Sequence, residues 1–119
     1  MKVSNLKSSK GNNVPNQFEI TGALHVRILF DKPQEDLKDM AYCRTKEEEH
    51  QYTGSGRLFQ SYDSLVCFVN HTGNIFIDER YYKYSNTTSR YLSVFLERDS
   101  KEIAKDIKSG DIRLCEIVQ

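Results

Sequence analysis

Hydrophobic and polar residues alternate most clearly between Phe18 and Phe30. Phe18, Ile20, Leu24, Val26, Ile28 and Phe30 keep a period of two, while His25 and Arg27 fall on the other face. This pattern predicts a half-buried strand over residues 17–30, with a break or bulge at Thr21-Gly22. A second β signal runs from Leu58 to Phe68 and continues to Val69. Asn70-His71-Thr72-Gly73-Asn74 then reads as a hairpin turn in which Gly73 takes a positive φ. Ile75-Phe76-Ile77 returns as the partner strand and ends at Asp78-Glu79.

Helical spacing takes over further along. Tyr91, Leu92, Phe95 and Leu96 share one helix face, and Ser85 or Asn86 supplies the N-cap, with Thr87 and Thr88 able to satisfy first-turn amides. Asp99-Ser100 offers a second cap before Ile103, Ala104 and Ile107, and Gly110 marks the stop. Ile112, Leu114 and Ile117 fit a closing strand. Upstream, Pro33 suits a first helical turn, with Glu35 and Asp36 behind it and Leu37, Met40 and Ala41 as a narrow apolar stripe. Residues 51–56, QYTGSG, read as loop. Their glycines lack the following helix and Gly-Lys-Ser/Thr sequence that a phosphate cradle needs. Residues 1–16 are rich in Ser, Asn and Lys and predict a flexible, mildly basic arm. Together these elements predict a single α+β domain over 17–119, a small antiparallel sheet with two to three helices packed on one face.

Composition narrows the function classes. The chain has 119 residues, enough for one domain. Its 17 basic and 17 acidic side chains cancel, which disfavours non-specific nucleic-acid binding through the whole surface and a wholesale DNA mimic. Cys43, Cys67 and Cys115 form no C-x-x-C pair. Cys67 and Cys115 lie in apolar runs and read as core residues of a reduced, cytoplasmic protein. No N-terminal apolar segment suggests a signal peptide, and no run reaches the length of a membrane span.

The search for chemistry yields no catalytic constellation, metal site or cofactor motif. Ser61, Ser64, Asp63 and His71 could be assembled into a triad on paper, but no nucleophile elbow surrounds either serine. Cys67 beside His71 lacks an electropositive setting. Asp63, Asp78, Glu79 and Lys83 could converge in a metal nuclease, but as a strand-end pair Asp78 and Glu79 read more simply as solvating a turn. Binding chemistry is better represented. Arg80, Tyr81, Tyr82, Lys83 and Arg90 cluster where the hairpin hands over to the helix, and Tyr and Arg are the residues that anchor interfaces. The competing reading is that the tyrosines pack the helix onto the sheet. Residues 31–50 hold seven acids against four bases. Glu47, Glu48 and Glu49 therefore form an alternative acidic contact surface.

Phe59-Gln60-Ser61-Tyr62, the hairpin, and then Tyr84-Ser85-x-Thr87-Thr88-x-x-Tyr91-Leu92-x-x-Phe95-Leu96 resemble a family of small proteins encoded by bacteriophages, prophages and plasmids. The resemblance covers residues 57–110. Where that family commonly carries Trp-Asp, this chain has Tyr81-Tyr82-Lys83, so its local surface differs. The shared residues look structural, and the resemblance carries over no active site. It implies a setting in which small, cofactor-free proteins bind host machinery, inhibitors of CRISPR nucleases being a prominent example. The expectation is a non-enzymatic protein in the cytoplasm of a bacterial host that binds and blocks a defence complex, a host protein or ribonucleoprotein such as a CRISPR effector nuclease. The alternative is a nucleic-acid-binding accessory factor of phage or plasmid replication, which the balanced charge makes the weaker of the two.

Overall fold

The structure, a computed structural model, describes residues 1–31 and 47–119. The helix expected after Pro33 and the residue Cys43 lie outside the described residues. Among the described residues six strands and two helices follow in the order β1 (Lys2–Lys7), β2 (Asn13–Asp31), β3 (Glu47–Ser61), β4 (Ser64–Asn70), β5 (Ile75–Asp78), α1 (Asn86–Leu96), α2 (Ser100–Ser109) and β6 (Ile112–Ile117). Consecutive strands are neighbours from β1 to β6, and β6 also pairs with β2. The strands β2 to β6 therefore close on themselves, and β1 hangs from the first half of β2 as a flap.

The expected α+β domain with helices on a small antiparallel sheet is thus corrected to a β-rich fold carrying two short helices. Two polar segments account for the difference. The N-terminal stretch read as a flexible arm forms β1 and the start of β2, paired from Lys2↔Thr21 to Lys7↔Asn13. The stretch read as loop over 51–56 lies inside β3, in a register that runs from Gln17↔Ser61 to Asp31↔Glu47. Ladder hydrogen bonds use backbone groups, so residues with little to bury can still pair once a neighbouring strand is in place. The sheet is also not wholly antiparallel, because β5 and β6 run parallel. A parallel pair needs a crossover, and α1 with α2 supplies it.

Side-chain alternation divides the interior into two layers. Leu24, Val26, Ile28, Phe30, Leu58, Phe68, Phe76, Cys115 and Ile117 fill the inside of the closed sheet. There Phe76 meets Tyr52 at 5.2 Å, Phe30 at 5.9 Å and Phe68 at 6.1 Å between ring centroids. Phe59, Val66, Cys67, Ile75 and Ile77 point outward to Leu92 and Phe95 of α1 and Ile103 of α2. A bulge in β4 keeps both layers filled. Phe59 opposes Cys67 whereas Gln60 opposes Leu65, so Val66 is an extra residue. Val66 and Cys67 consequently both face the helices, and Leu65 and Phe68 both face inward. The closing strand expected from Ile112, Leu114 and Ile117 is β6, on which Ile112, Cys115 and Ile117 are buried and Leu114 is exposed.

Turn and cap chemistry follows the local sequence closely. Gly73 takes φ +89° in the β4–β5 turn, and its N–H donates to the Asn70 carbonyl at 3.0 Å. Asp99 caps α2 in a reciprocal box with Glu102, and Gly110 closes it in the left-handed region. At Gly56 the constraint is space. A Cβ there would stand 2.9 Å from Phe68 Cε1 and 2.9 Å from the Val69 carbonyl oxygen. The carbonyl belongs to the β4 ladder and cannot retreat. Gly56→Ala should therefore cost about 1–3 kcal/mol, the range for overpacking, measured as a shift of the urea midpoint with an unchanged slope. A neutral substitution would show that β3 and β4 are not in this close approach.

Candidate functional site

The link from β5 to α1 begins at a buried acid. Asp78 has no solvent exposure. Its Oδ1 accepts from the Arg80 backbone N–H at 2.9 Å and from Arg80 Nε at 3.1 Å. Its Oδ2 accepts from Arg80 Nη2 at 2.8 Å and from the Ile117 backbone N–H at 2.8 Å. Arg80 Nη2 also donates to the Ile117 carbonyl at 3.1 Å. One carboxylate thus fastens the end of β5, the start of the link and the end of β6. The Arg80 guanidinium is held protonated even more firmly than usual, chiefly by its hydrogen bond to Asp78. Asp78 was expected to solvate a turn, and instead it organises one.

Beyond Arg80 the chain folds into successive turns. Tyr81 N–H donates to the Asp78 carbonyl at 3.1 Å and Tyr84 N–H to the Tyr81 carbonyl at 3.2 Å. These turns send the residues singled out from sequence in different directions. Arg80 is committed to Asp78. Tyr81 is half-buried against the helix layer and stands edge-on to Tyr84, with ring centroids 6.0 Å apart. Tyr82 is also half-buried and carries Lys83 Nζ 5.4 Å from its ring centroid. Tyr82 and Lys83 line a cleft between α1 and α2 together with Ser89, Ser93 and Lys101. Arg90 is exposed on α1. Glu47, Glu48 and Glu49 open β3, paired with Asp31, Phe30 and Leu29.

A different set converges on the opposite side of the link. Tyr62 and Asp63 form the two-residue turn between β3 and β4, a region whose sequence reads as uninterrupted strand. Tyr62 sits at φ +55°, a conformation that bulky residues rarely adopt. Its N–H donates to the Asn16 carbonyl at 2.7 Å, and its own carbonyl accepts from Gln60 Nε2 at 2.7 Å. This holds the ring out, 53% exposed, facing Tyr84, which is 74% exposed. Between them lies a groove of 430 Å³ whose walls are Tyr62 and Asp63 on one side and Tyr81 and Tyr84 on the other. Hydroxyls pave its base. Thr88 Oγ1 lies 2.9 Å from Ser61 Oγ and accepts from Ser85 Oγ at 3.1 Å, while Ser85 Oγ accepts from the Thr88 N–H at 3.1 Å. Ser85, one of the two caps expected from sequence, is thus the N-cap of α1. The residue opposite Ser61 in the β2–β3 register is Gln17. Its side chain is fully buried and neither amide atom meets a protein partner.

Sequence reasoning missed Tyr62, Asp63 and Tyr84 as neighbours. The available signal was the aromatic-serine repetition itself, Ser61-Tyr62 and Tyr84-Ser85, at the ends of two turns. Catalytic pairings fare differently. The Ser61 hydroxyl is engaged by Thr88. Burial pushes the Cys67 thiol far up and the Cys115 thiol up to about 12, so both are neutral at physiological pH. Among the described residues no three His, Cys, Asp or Glu side chains are grouped to hold a metal ion, and no helix is long and apolar enough to cross a membrane.

Both groove walls, and every described element except β6, fall within one family match. The chain belongs to the family of unknown function DUF8033. The match spans residues 1–110, from β1 to the end of α2, and so covers the positions of Tyr62, Asp63, Tyr81 and Tyr84. No curated protein and no solved structure matches the chain.

Two substitutions test how the groove is held. Asp78→Ala removes the acceptor for four donors, among them the buried Ile117 N–H. It should cost about 3 kcal/mol, the lower end for a broken buried pair because the Arg80 head is 42% exposed and can rehydrate. A loss below about 1 kcal/mol on chemical denaturation would show that the closure is held by other means. Ser85→Ala should cost about 1 kcal/mol through the lost cap. Amide exchange of the first turn of α1 reports it, and unchanged protection there would contradict the role.

Proposed function

We propose that this DUF8033 protein is a non-enzymatic binding protein, and that the groove between Tyr62 and Tyr84 is its contact surface. The observation that carries this reading is the exposure of two large aromatic side chains on turns that are fixed from below. Tyr84 follows the Asp78–Arg80 clamp and precedes the Ser85 cap, while Tyr62 is pinned by Asn16 and Gln60. Interfaces are anchored by Tyr and Trp because these rings bury much area with few torsions to freeze. Loops held by a rigid scaffold are where binding residues concentrate. The contact thus moves from the Arg80–Arg90 set toward Tyr81 and Tyr84 of the same link, joined by Tyr62.

The partner we propose is the one the phage and plasmid resemblance implies, a host defence complex in the bacterial cytoplasm, with a CRISPR effector nuclease as the leading class. Groove chemistry supports a protein partner over a nucleic acid. Binding of single strands needs cations that track the phosphates as well as aromatic platforms, and of the residues lining the groove only Asp63 is charged. The cleft with Tyr82, Lys83 and Lys101 does combine an aromatic ring with cations, and it is where the nucleic-acid reading finds support.

The test is cleavage of matching DNA by a panel of guide-loaded CRISPR effector nucleases with and without the purified chain. Inhibition near equimolar ratio is expected for at least one effector. Tyr62→Ala combined with Tyr84→Ala should weaken it by about 2 kcal/mol, roughly thirtyfold, with the melting temperature unchanged. Inhibition that survives this change but is abolished by Glu47→Lys, Glu48→Lys and Glu49→Lys would assign the contact to the acidic surface. No inhibition, together with salt-dependent oligonucleotide binding that Lys83→Ala and Lys101→Ala remove, would replace the reading with nucleic-acid binding.

A further inference from the structure

We infer that the tyrosine groove takes an extended, proline-containing segment of its protein partner, with a Lys or Arg side chain placed against Asp63; this rests on the protein-binding reading above and specifies the ligand. Three features of the groove select that shape. First, no strand edge is open among the described residues there. β3 is paired with both β2 and β4, and on the far side of β4, ahead of its ladder with β5, the Gln119 side chain holds both the N–H and the carbonyl of Leu65. A partner cannot add itself as another strand, so recognition has to go through side chains rather than a backbone ladder. Second, 430 Å³ between two turns holds a few extended residues but not a helix, whose cylinder with side chains is about 10 Å across. Third, the walls are aromatic faces carrying hydroxyls. Tyr81 and Tyr84 meet at 75°, which makes an angular slot, and Tyr62 faces it from the other turn.

A polyproline II segment complements such walls. Its proline rings offer flat apolar faces to tyrosine, and its carbonyls make no internal hydrogen bonds, so they can accept from the tyrosine hydroxyls. Its conformation is already restricted before binding, so little entropy is lost on docking. Charge sets the remaining preference. Asp63 is exposed and has no cation paired with it among the described residues. On the link, Arg80 is committed to Asp78 and Lys83 lines the other cleft with Tyr82. A cationic residue on the ligand is therefore favoured at the Asp63 end, and an anionic one is opposed.

The experiment is an array of immobilised decapeptides with a Pro-x-x-Pro core, randomised at x and flanked by Arg, Ala or Glu, beside the same set with both prolines replaced by Ala. The purified full chain should be retained at least tenfold more strongly by the proline peptides flanked with Arg than by either the alanine-core or the Glu-flanked set. Asp63→Asn should erase the preference for Arg while keeping that for proline. Tyr84→Ala, at a residue exposed enough not to threaten folding, should abolish retention. For the strongest peptide, amide chemical shifts in solution should change at residues 61–64 and 81–88. A blank array, equal retention of alanine-core peptides, retention unaffected by Tyr84→Ala, or groove shifts produced by oligosaccharides instead would each overturn the inference. Its failure is separable from that of the proposed function. A blank array with nuclease inhibition that still depends on Tyr62 and Tyr84 sinks only the peptide, whereas specific peptide retention without inhibition of any effector sinks only the nuclease target.

Discussion

A single carboxylate, that of Asp78, sits where the sheet closes. The strands form a ring only because β6 reaches back to β2, and their register there is two residue pairs, Ile28↔Ile117 and Leu29↔Glu116. So short a ladder contributes little by itself, and Ile117 needs a further partner. Asp78 provides it from the end of β5, accepting the Ile117 N–H while Arg80 takes the Ile117 carbonyl. Burying a charge is costly unless donors replace the lost water. Here four N–H groups do so, and the Arg80 head keeps contact with solvent, which limits the desolvation of the pair. The clamp also sets the starting direction of the link, so closure of the sheet and placement of Tyr81 and Tyr84 are one event.

The parallel pairing of β5 with β6 carries the same logic into the helices. Two parallel neighbours cannot be joined by a hairpin, so the chain has to leave β5, cross over and return. Residues 79–111 make that excursion, and α1 and α2 are its rigid part. Their apolar faces cover Phe59, Cys67, Ile75 and Ile77, the outward half of an alternation whose inward half fills the ring. The β4 bulge allows this division, since in a regular strand the extra Val66 would exchange the inward and outward faces of β4 across it. Arg57 adds a fastening at the far end of α1, donating to the Phe95 carbonyl at 2.9 Å while paired with Glu19 at 2.7 Å.

The parts of the fold that could be read in the sequence are those set by local chemistry. The β4–β5 turn, the caps at Ser85, Asp99 and Gly110, the period-two half of β2, and the burial of Cys67 and Cys115 depend on nearby residues and side-chain patterns. The illegible parts depend on partners distant along the chain. β1 and the first half of β3 carry Ser, Asn, Thr and Gly because their ladders need backbone groups, so composition concealed them. Asp78 looked like a turn residue because its fourth donor lies 39 positions away, on Ile117. The β3–β4 turn was hidden by the side chain that occupies it. A tyrosine in left-handed backbone is a poor local choice, held there by Asn16 on a different strand.

That last mismatch bears on how the groove arose within the fold. Residues that violate local preference cost of order 1–3 kcal/mol and persist where surrounding structure over-determines them. Glycine or asparagine would relieve the strain at position 62, and neither would supply a ring. The strained turn lies across the groove from Tyr84, the most exposed tyrosine in the described residues. Folding alone would remove both features with small changes, a turn residue at 62 and a polar one at 84. Their coincidence around one groove is what the proposed contact surface rests on.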